Sequence, residues 1–230
     1  MASVAVLAPV LNRPERAPML SESFTLALND DHRMRLVPIC SLDDLPEINA
    51  WLRLGIQPEV VNWRPGPGDW AKKINWGFRR MIKLGFEWML LGADDLGFHP
   101  GWFDAALTVH HATDACVIGT NDLGNPTVKR GHHSTHPLVF RDYLECGTID
   151  EPNQIVCELY SHNWVDTELV ETAKARGTWA FAADSHVEHL HPFWGKSEMD
   201  DVYAKGRANF HDDRRLFESR RELWEEVAVA

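Results

Sequence analysis

Residues Met89–Phe103 read MLLGADDLGFHPGWF. A short apolar strand runs into two adjacent aspartates, Asp94 and Asp95, and then reaches a Pro-Gly-Trp turn. Two like charges side by side repel, and each costs several kcal/mol if it loses water without gaining a partner. The pair therefore either sits in water at a loop tip or faces something cationic.

Working outward, Trp70–Leu84 carries Ile74, Phe78, Met81 and Ile82 at helical spacing, with Lys72, Lys73, Arg79 and Arg80 over the remaining faces. Asp69 is placed to cap this helix and Gly85 to end it, so that a strand over Phe86–Leu91 leads into the aspartates. Further β-rich runs occupy Val4–Val10, Arg35–Cys40 and Glu59–Trp63, with a helical pattern over Ala17–Asn29 and a short connector, SLDDLPE, between the second and third strands. This alternation predicts an α/β fold: a mixed, mostly parallel sheet flanked by helices. Ligands of such sheets bind beyond the carboxyl ends of the strands, where NRPER, SLDD and GADD fall in this sequence.

The second half is less regular. Helices are expected over Trp102–His110, around Val139–Glu145 and over Asp166–Ala175, and strands over Ala115–Thr120 and Thr178–Ala182. A long loop, NDLGNPTVKRGHHSTHP, lies between. From Asp212 an amphipathic helix places Leu216, Phe217, Leu223, Trp224 and Val227 on one face.

At 230 residues, 44% of them hydrophobic and 25% charged, the chain has the balance of an ordinary globular domain. A net charge of −11 argues against non-specific nucleic-acid or membrane-surface binding. Cys40, Cys116, Cys146 and Cys157 have no metal or redox spacing and read as reduced thiols of a cytoplasmic protein. The apolar start MASVAVLAPV lacks a basic region and is broken by Pro9, so it reads as a strand and not a signal peptide. No run approaches the ~18 apolar residues of a membrane span.

Several groups could carry chemistry. Asp94 and Asp95 are hard oxygen donors suited to Mg²⁺ or Mn²⁺, or else a solvated turn. In DSHVEHLHP, His189 and His191 are two apart on an extended segment and could share a ligand, unless the strand is simply polar surface. Asp166 and Glu168 sit where a loop enters a helix, so Asp166 is either an N-cap or a general base. The loop KRGHHSTHP offers Lys129, Arg130, His132, His133 and His136 to an anionic or polyhydroxylated ligand, and tryptophans such as Trp102 are core or stack on a sugar ring.

Taken together, the order and spacing of these pieces resemble the inverting, family-two type of GT-A glycosyltransferases. APVLNRPER resembles the proline and Asn turn at the family's first strand, the Asp43–Asp44 pair its aspartate after the second strand, and Asn75 the asparagine of its following helix. GADDLGFHPGWF fits the frame of its D-x-D motif, with Gly92 in place of the first aspartate, and VDTEL fits its acidic base segment, with Val165 in place of an acid. The resemblance implies a GT-A-like (Rossmann-like) catalytic domain over 1–195, with a nucleotide-binding half to residue 95 and an acceptor half beyond it. A C-terminal helical extension, 196–230, follows.

It also implies transfer of a sugar from a nucleotide-sugar donor, UDP-linked in preference to GDP-linked, to an acceptor hydroxyl, with a divalent ion as cofactor. Pro9, Asn12, Arg13, Asp43, Asp44, Lys72, Asn75 and Asp94 would hold the nucleotide. Asp94, Asp95, His189 and His191 would hold Mn²⁺ or Mg²⁺, and Asp166 would be the base. Trp102, Arg130, His132, His133 and Glu168 would line the sugar or acceptor side, the acceptor being a protein, a glycan or a modified DNA base. Three other classes compete. A metal-dependent hydrolase would show an H-x-H or H-E-x-x-H ligand pattern near the first strands, whereas the one H-x-H is late, at His189–His191. A nucleotidyltransferase would carry a glycine-rich, lysine-containing loop after the first strand, which NRPER is not. A non-catalytic carbohydrate- or nucleotide-binding protein would not need acids at successive strand ends.

Overall fold

Val4, Ala5, Val6, Leu7 and Ala8 are all fully buried, so the first strand reads as unbroken apolar sequence because both of its faces are covered. Val4, Val6 and Ala8 join one core and Ala5 and Leu7 the other. In the computed structural model, which describes residues 1–227 with side chains through Trp224, this strand (β1, Ser3–Pro9) lies within an eight-stranded sheet.

The chain continues through α1 (Ala17–Leu26), β2 (Arg33–Ser41), α2 (Leu45–Arg53), β3 (Glu59–Val61), α3 (Asp69–Lys83), β4 (Trp88–Leu91) and β5 (Leu96–Phe98). There follow α4 (Trp102–Thr113), β6 (Val117–Asn121), α5 (Pro126–Lys129), β7 (Leu138–Phe140), α6 (Tyr143–Cys146), α7 (Val165–Ala175) and β8 (Trp179–His189). The C-terminal helices are α8 (Asp201–Ala208), α9 (Phe210–Ser219) and α10 (Glu222–Val227). The strand order is β3-β2-β1-β4-β7-β6-β8-β5. The first four are mutually parallel, β7 runs antiparallel to both β4 and β6, β6 and β8 are parallel, and β5 closes the edge antiparallel to β8. Helices α1, α2 and α4 cover one face, through Leu20, Phe24, Trp51, Trp102 and Phe103. Helices α3, α7 and α9 cover the other, through Ile74, Phe78, Leu169 and Phe217. No described helix is long and apolar enough to cross a membrane.

Five local expectations are corrected. The connector after β2 contains α2, because Asp44 accepts the Glu47 amide as an N-cap and Trp51 is driven into the core. Asp69 does not cap α3: Gly68 does so at φ +75°, and Asp69 accepts from the Trp63 indole and pairs with Lys73. Leu138–Phe140 is a strand and not the start of a helix, since both neighbouring strands supply it with hydrogen-bond partners. The long loop holds the short helix α5, capped by Asn125. Strand β8 also runs past Ala182 to His189, because β5 pairs with its polar end. Val227, expected on the apolar face of the last helix, lies outside the described side chains.

Candidate active site

Strand β4 stops where Gly92 crosses over β1. The Gly92 amide donates to the Leu7 carbonyl at 2.8 Å, and a Cβ on Gly92 would also stand 2.8 Å from that oxygen. A side chain is thus excluded where a D-x-D motif has its first aspartate, and the two following aspartates emerge beyond the sheet.

Asp95 is buried and faces the second half of the sheet. Its Oδ2 accepts from the Tyr203 hydroxyl at 2.6 Å and lies 3.2 Å from His189 Nε2, while Oδ1 has no partner. His189 ends β8, and the antiparallel pairing of β5 with β8 sets Leu96 opposite it, one residue beyond Asp95. A third group comes from the loop before β7. His136 Nδ1 donates to the Leu91 carbonyl at 2.9 Å, which fixes the tautomer and leaves Nε2 as a bare, buried acceptor. Ligand atoms of Asp95, His136 and His189 all lie within 4.8 Å of one another. Two orphaned buried acceptors and a carboxylate-paired imidazole converging in this way fit a divalent cation.

The electrostatics show that Asp95 pairs with positive charge. Burial pushes Asp95 up, but the His189 charge and the hydrogen bonds from His189 and Tyr203 outweigh it and hold the carboxyl well below its usual range. Burial and then the His189 charge push His136 down to about 4, so its Nε2 is a lone-pair donor at neutral pH.

Asp94 faces the opposite way, onto Arg13. Arg13 Nη1 lies 3.0 Å from Asp94 Oδ1, its Nη2 lies 2.7 Å from Asp200 Oδ1, and its guanidinium stacks 3.9 Å from the centre of the Tyr203 ring. Arg16 reaches the other Asp200 oxygen at 3.6 Å. The segment leading into α8 thus lies across the strand ends, where an open cleft of about 420 Å³ is lined by Asn12, Arg13, Glu15, Asp200, Asp201 and Lys205. Burial and the Asp95 charge raise the Asp94 carboxyl above its ordinary value, and Arg13 only partly offsets this.

At the start of α7, Asp166 Oδ1 accepts the Thr167 amide at 2.9 Å and Oδ2 lies 3.1 Å from His133 Nε2. Asp166 is not the cap; the left-handed Trp164, at φ +67°, precedes the helix. Burial would raise Asp166 and lower His133, but their mutual hydrogen bond and attraction reverse both shifts.

Of the residues singled out from sequence, Asp95 and His189 meet in the cluster, Arg13 and Asp94 flank it, and His133 and Asp166 pair with each other. Asn12 lines the cleft beside Arg13, and the others lie elsewhere. His191 Nδ1 accepts the Phe193 amide as a helix cap, although its ring is 5.0 Å from that of His189. Asp44 is occupied by the amides of Asn12 and Glu47, and Asn75 by the backbone of Ile155 and Val156. Trp102 is fully buried core. Glu168, expected beside an acceptor, is buried against the Tyr160 hydroxyl and Arg220. Pro9 ends β1, and Asp43, Lys72, Arg130 and His132 are exposed, without a described partner for their side chains. His136 was visible as one of several loop histidines but not as a ligand; Arg16 lay in NRPER but was not singled out, and Asp200 and Tyr203 carried no motif at all.

Similar proteins place this architecture. Among solved structures the chain is similar to glucosyl-3-phosphoglycerate synthase from Mycobacterium tuberculosis in complex with Mn²⁺, UDP-glucose and phosphoglyceric acid. The TM-score is 0.56 and the identity 14%, over 90% of this chain and 76% of that one. It is also similar to the catalytic domain of Drosophila beta1,4-galactosyltransferase 7 in complex with xylobiose, with a TM-score of 0.51 and 13% identity over 90% of this chain and 80% of that one. The fold is therefore GT-A-like. A family model described as Herpesvirus glycoprotein D/GG/GX domain matches residues 127–178. That segment holds β7, whose pairing strands β4 and β6 both lie outside it, so it is not a separate folding unit. No curated protein matches the chain.

Proposed function

We propose that the protein is a glycosyltransferase that moves a sugar from a nucleotide-sugar donor, UDP-linked, to an acceptor hydroxyl with inversion at the anomeric carbon. The observation that carries this reading is the convergence of Asp95, His136 and His189 beside Arg13 at the strand ends of a GT-A-like sheet. Structural neighbours of that fold hold Mn²⁺ or Mg²⁺ together with UDP or UDP-glucose.

Asp95, His136 and His189 would hold the divalent ion, which when bound supplies positive charge opposite a departing diphosphate. Two imidazoles to one carboxylate form a softer donor set than Mg²⁺ favours, so Mn²⁺ is the better match. Asn12, Arg13 and Arg16 line the donor side, where the Asp200 carboxylate occupies an anion's place between the two guanidinium groups. The base function falls on the Asp166–His133 pair. In this reading residues 1–95 form the nucleotide half, 96–195 the acceptor half and 196–230 an extension, whose Asp200 and Tyr203 reach back to the donor side. The four free cysteines suit work in the cytoplasm. The acceptor class stays within proteins, glycans and modified DNA bases.

The test is release of UDP from a panel of UDP-sugars with Mn²⁺, alongside calorimetric binding of UDP, in wild type and Asp95→Ala. Mn²⁺-dependent binding and turnover, both lost in the variant, are expected. Folded wild-type protein that binds neither UDP nor a UDP-sugar with Mn²⁺ would overturn the reading.

A further inference from the structure

Asp166 is poorly placed to take a proton itself. One carboxylate oxygen is committed to the Thr167 amide and the other to His133, and the charge of the paired imidazole holds its carboxyl below the ordinary range despite burial. A carboxylate stabilised in this way is a weak base. His133 is differently situated. Because a carboxylate only accepts, His133 Nε2 carries the hydrogen of the 3.1 Å contact, and in the neutral ring the lone pair is then on Nδ1. Nδ1 has no protein partner among the described residues, and the side chain is 14% exposed, so a ligand can reach it.

The ring is also held in place. On one side of it, the His132 carbonyl accepts from Lys174 at 2.7 Å. On the other, the fully buried Ser134 hydroxyl accepts the Thr120 amide and donates to the Thr120 carbonyl. Two residues further, His136 delivers its Nε2 to the cation cluster. One pinned segment, 132–136, thus carries both an accessible nitrogen base and a ligand of the proposed metal site.

From this geometry we infer that His133 is the catalytic base of the transfer and Asp166 the residue that positions it, an assignment that rests on the glycosyl-transfer reading above. The acceptor O–H bond breaks and its proton passes to His133 Nδ1. The acceptor oxygen bonds to the anomeric carbon, the bond from that carbon to the diphosphate oxygen breaks, and the nucleoside diphosphate leaves with the electron pair. The imidazolium, paired to the Asp166 carboxylate through Nε2–H, then gives its proton to water. Asp166 selects the reactive tautomer and stabilises the charge that develops. The charged groups that bear on the ring are Asp166 and Lys174 of α7 and Asp122 after β6, with Lys174 opposing the two acids.

Three measurements on the full chain test this. In ¹⁵N spectra of the imidazole rings, His133 is expected as the Nε2–H tautomer with Nδ1 titrating; an Nδ1–H tautomer overturns the assignment whatever the activity. With a UDP-sugar that the wild type turns over, His133→Gln is expected to lower kcat by about 100-fold or more while leaving the Kd for UDP unchanged. Asp166→Asn should lower kcat by less and move the acid limb of the pH–rate profile to lower pH. A smaller loss in His133→Gln than in Asp166→Asn would return the base role to Asp166. Product of retained anomeric configuration would remove the need for a base but leave glycosyl transfer standing. Failure of wild type to bind UDP and Mn²⁺ would instead remove both.

Discussion

Asp94 and Asp95 are adjacent in the chain, yet their carboxylates serve different cations: Asp94 Oδ1 lies 3.0 Å from Arg13, whereas Asp95 Oδ2 lies 3.2 Å from His189. Turning them to opposite sides of the strand end lessens the repulsion expected of two neighbouring acids, although the Asp95 charge still raises Asp94. One anchors the first loop and the other faces the cluster. Asp95→Asn is therefore expected to abolish stabilisation by Mn²⁺, which at ~100 times its Kd is about 2.7 kcal/mol in the wild type. Asp94→Asn should keep that response but lower metal-free stability by about 2 kcal/mol, less than the full cost of a stranded buried charge because Arg13 retains Asp200. Urea unfolding with and without Mn²⁺ separates the two.

His136 distinguishes ions. A site with two imidazoles should bind Mn²⁺ more tightly than Mg²⁺ in titration calorimetry. His136→Gln, which replaces the bare Nε2 by an amide, should weaken Mn²⁺ more than Mg²⁺ and narrow the preference. An unchanged Mn²⁺ affinity would exclude His136 as a ligand.

Tyr203 competes for Asp95. Its hydroxyl donates to Oδ2 at 2.6 Å, the same carboxylate that a cation would use. Tyr203→Phe is expected to cost about 1.5 kcal/mol without metal, as a hydrogen bond to a charged group is lost. Mn²⁺ affinity should rise, because the ion no longer displaces that bond. Metal titrations of the two proteins read the difference directly.

The His133–Asp166 pair should impose a pH window on stability. Asp166 is depressed in the folded protein, so its contribution is present above the unfolded value of ~3.9 and lost as pH falls through the folded one. His133 is raised, so its contribution is present below ~6.5 and lost as pH rises through the folded value. Wild type should thus lose more stability than His133→Gln between pH 5.5 and 8.5, about those limits on either side of the histidine range. Comparing the two proteins cancels His189, whose raised value has the same sign.

Glu168 tests structure against function. It is 2% exposed, and Arg220 reaches both of its oxygens while also gripping Asp150. Arg220→Met should destabilise the protein by roughly 3 kcal/mol or more, since it leaves a buried carboxylate unpaired. Glu168→Gln should alter stability but not kcat per folded molecule. A selective loss of kcat would restore Glu168 to the acceptor side.

Elements stabilised by their own sequence were the legible ones. Strand β1 announces itself by continuous apolar residues, and α3 by apolar spacing over four turns. Asp95 and His189 stood out because each lies in a local motif, and the α/β alternation located the edge where they meet. Asn75, Trp102 and Glu168 were misleading for one reason: a buried polar or aromatic side chain on a helix looks the same whether it faces a ligand or its own backbone. Leu138–Phe140 became a strand only because β4 and β6 flank it, a fact of tertiary pairing. Asp200 and Tyr203 reach the site from a segment with neither periodicity nor motif, and only the folded chain reveals them.

The reach of Tyr203 back to Asp95 has a consequence for how the protein is made. At bacterial or eukaryotic elongation speeds, on the order of ten seconds separate the synthesis of those two residues. Throughout that interval a growing chain would hold Arg13 against Asp94 alone and Asp95 without Tyr203, at the rim of an unfinished sheet. The Arg13–Asp200 and Asp95–Tyr203 contacts of the donor side therefore form late, and newly made chains should acquire their final affinity for nucleotide only once α8 has left the exit tunnel.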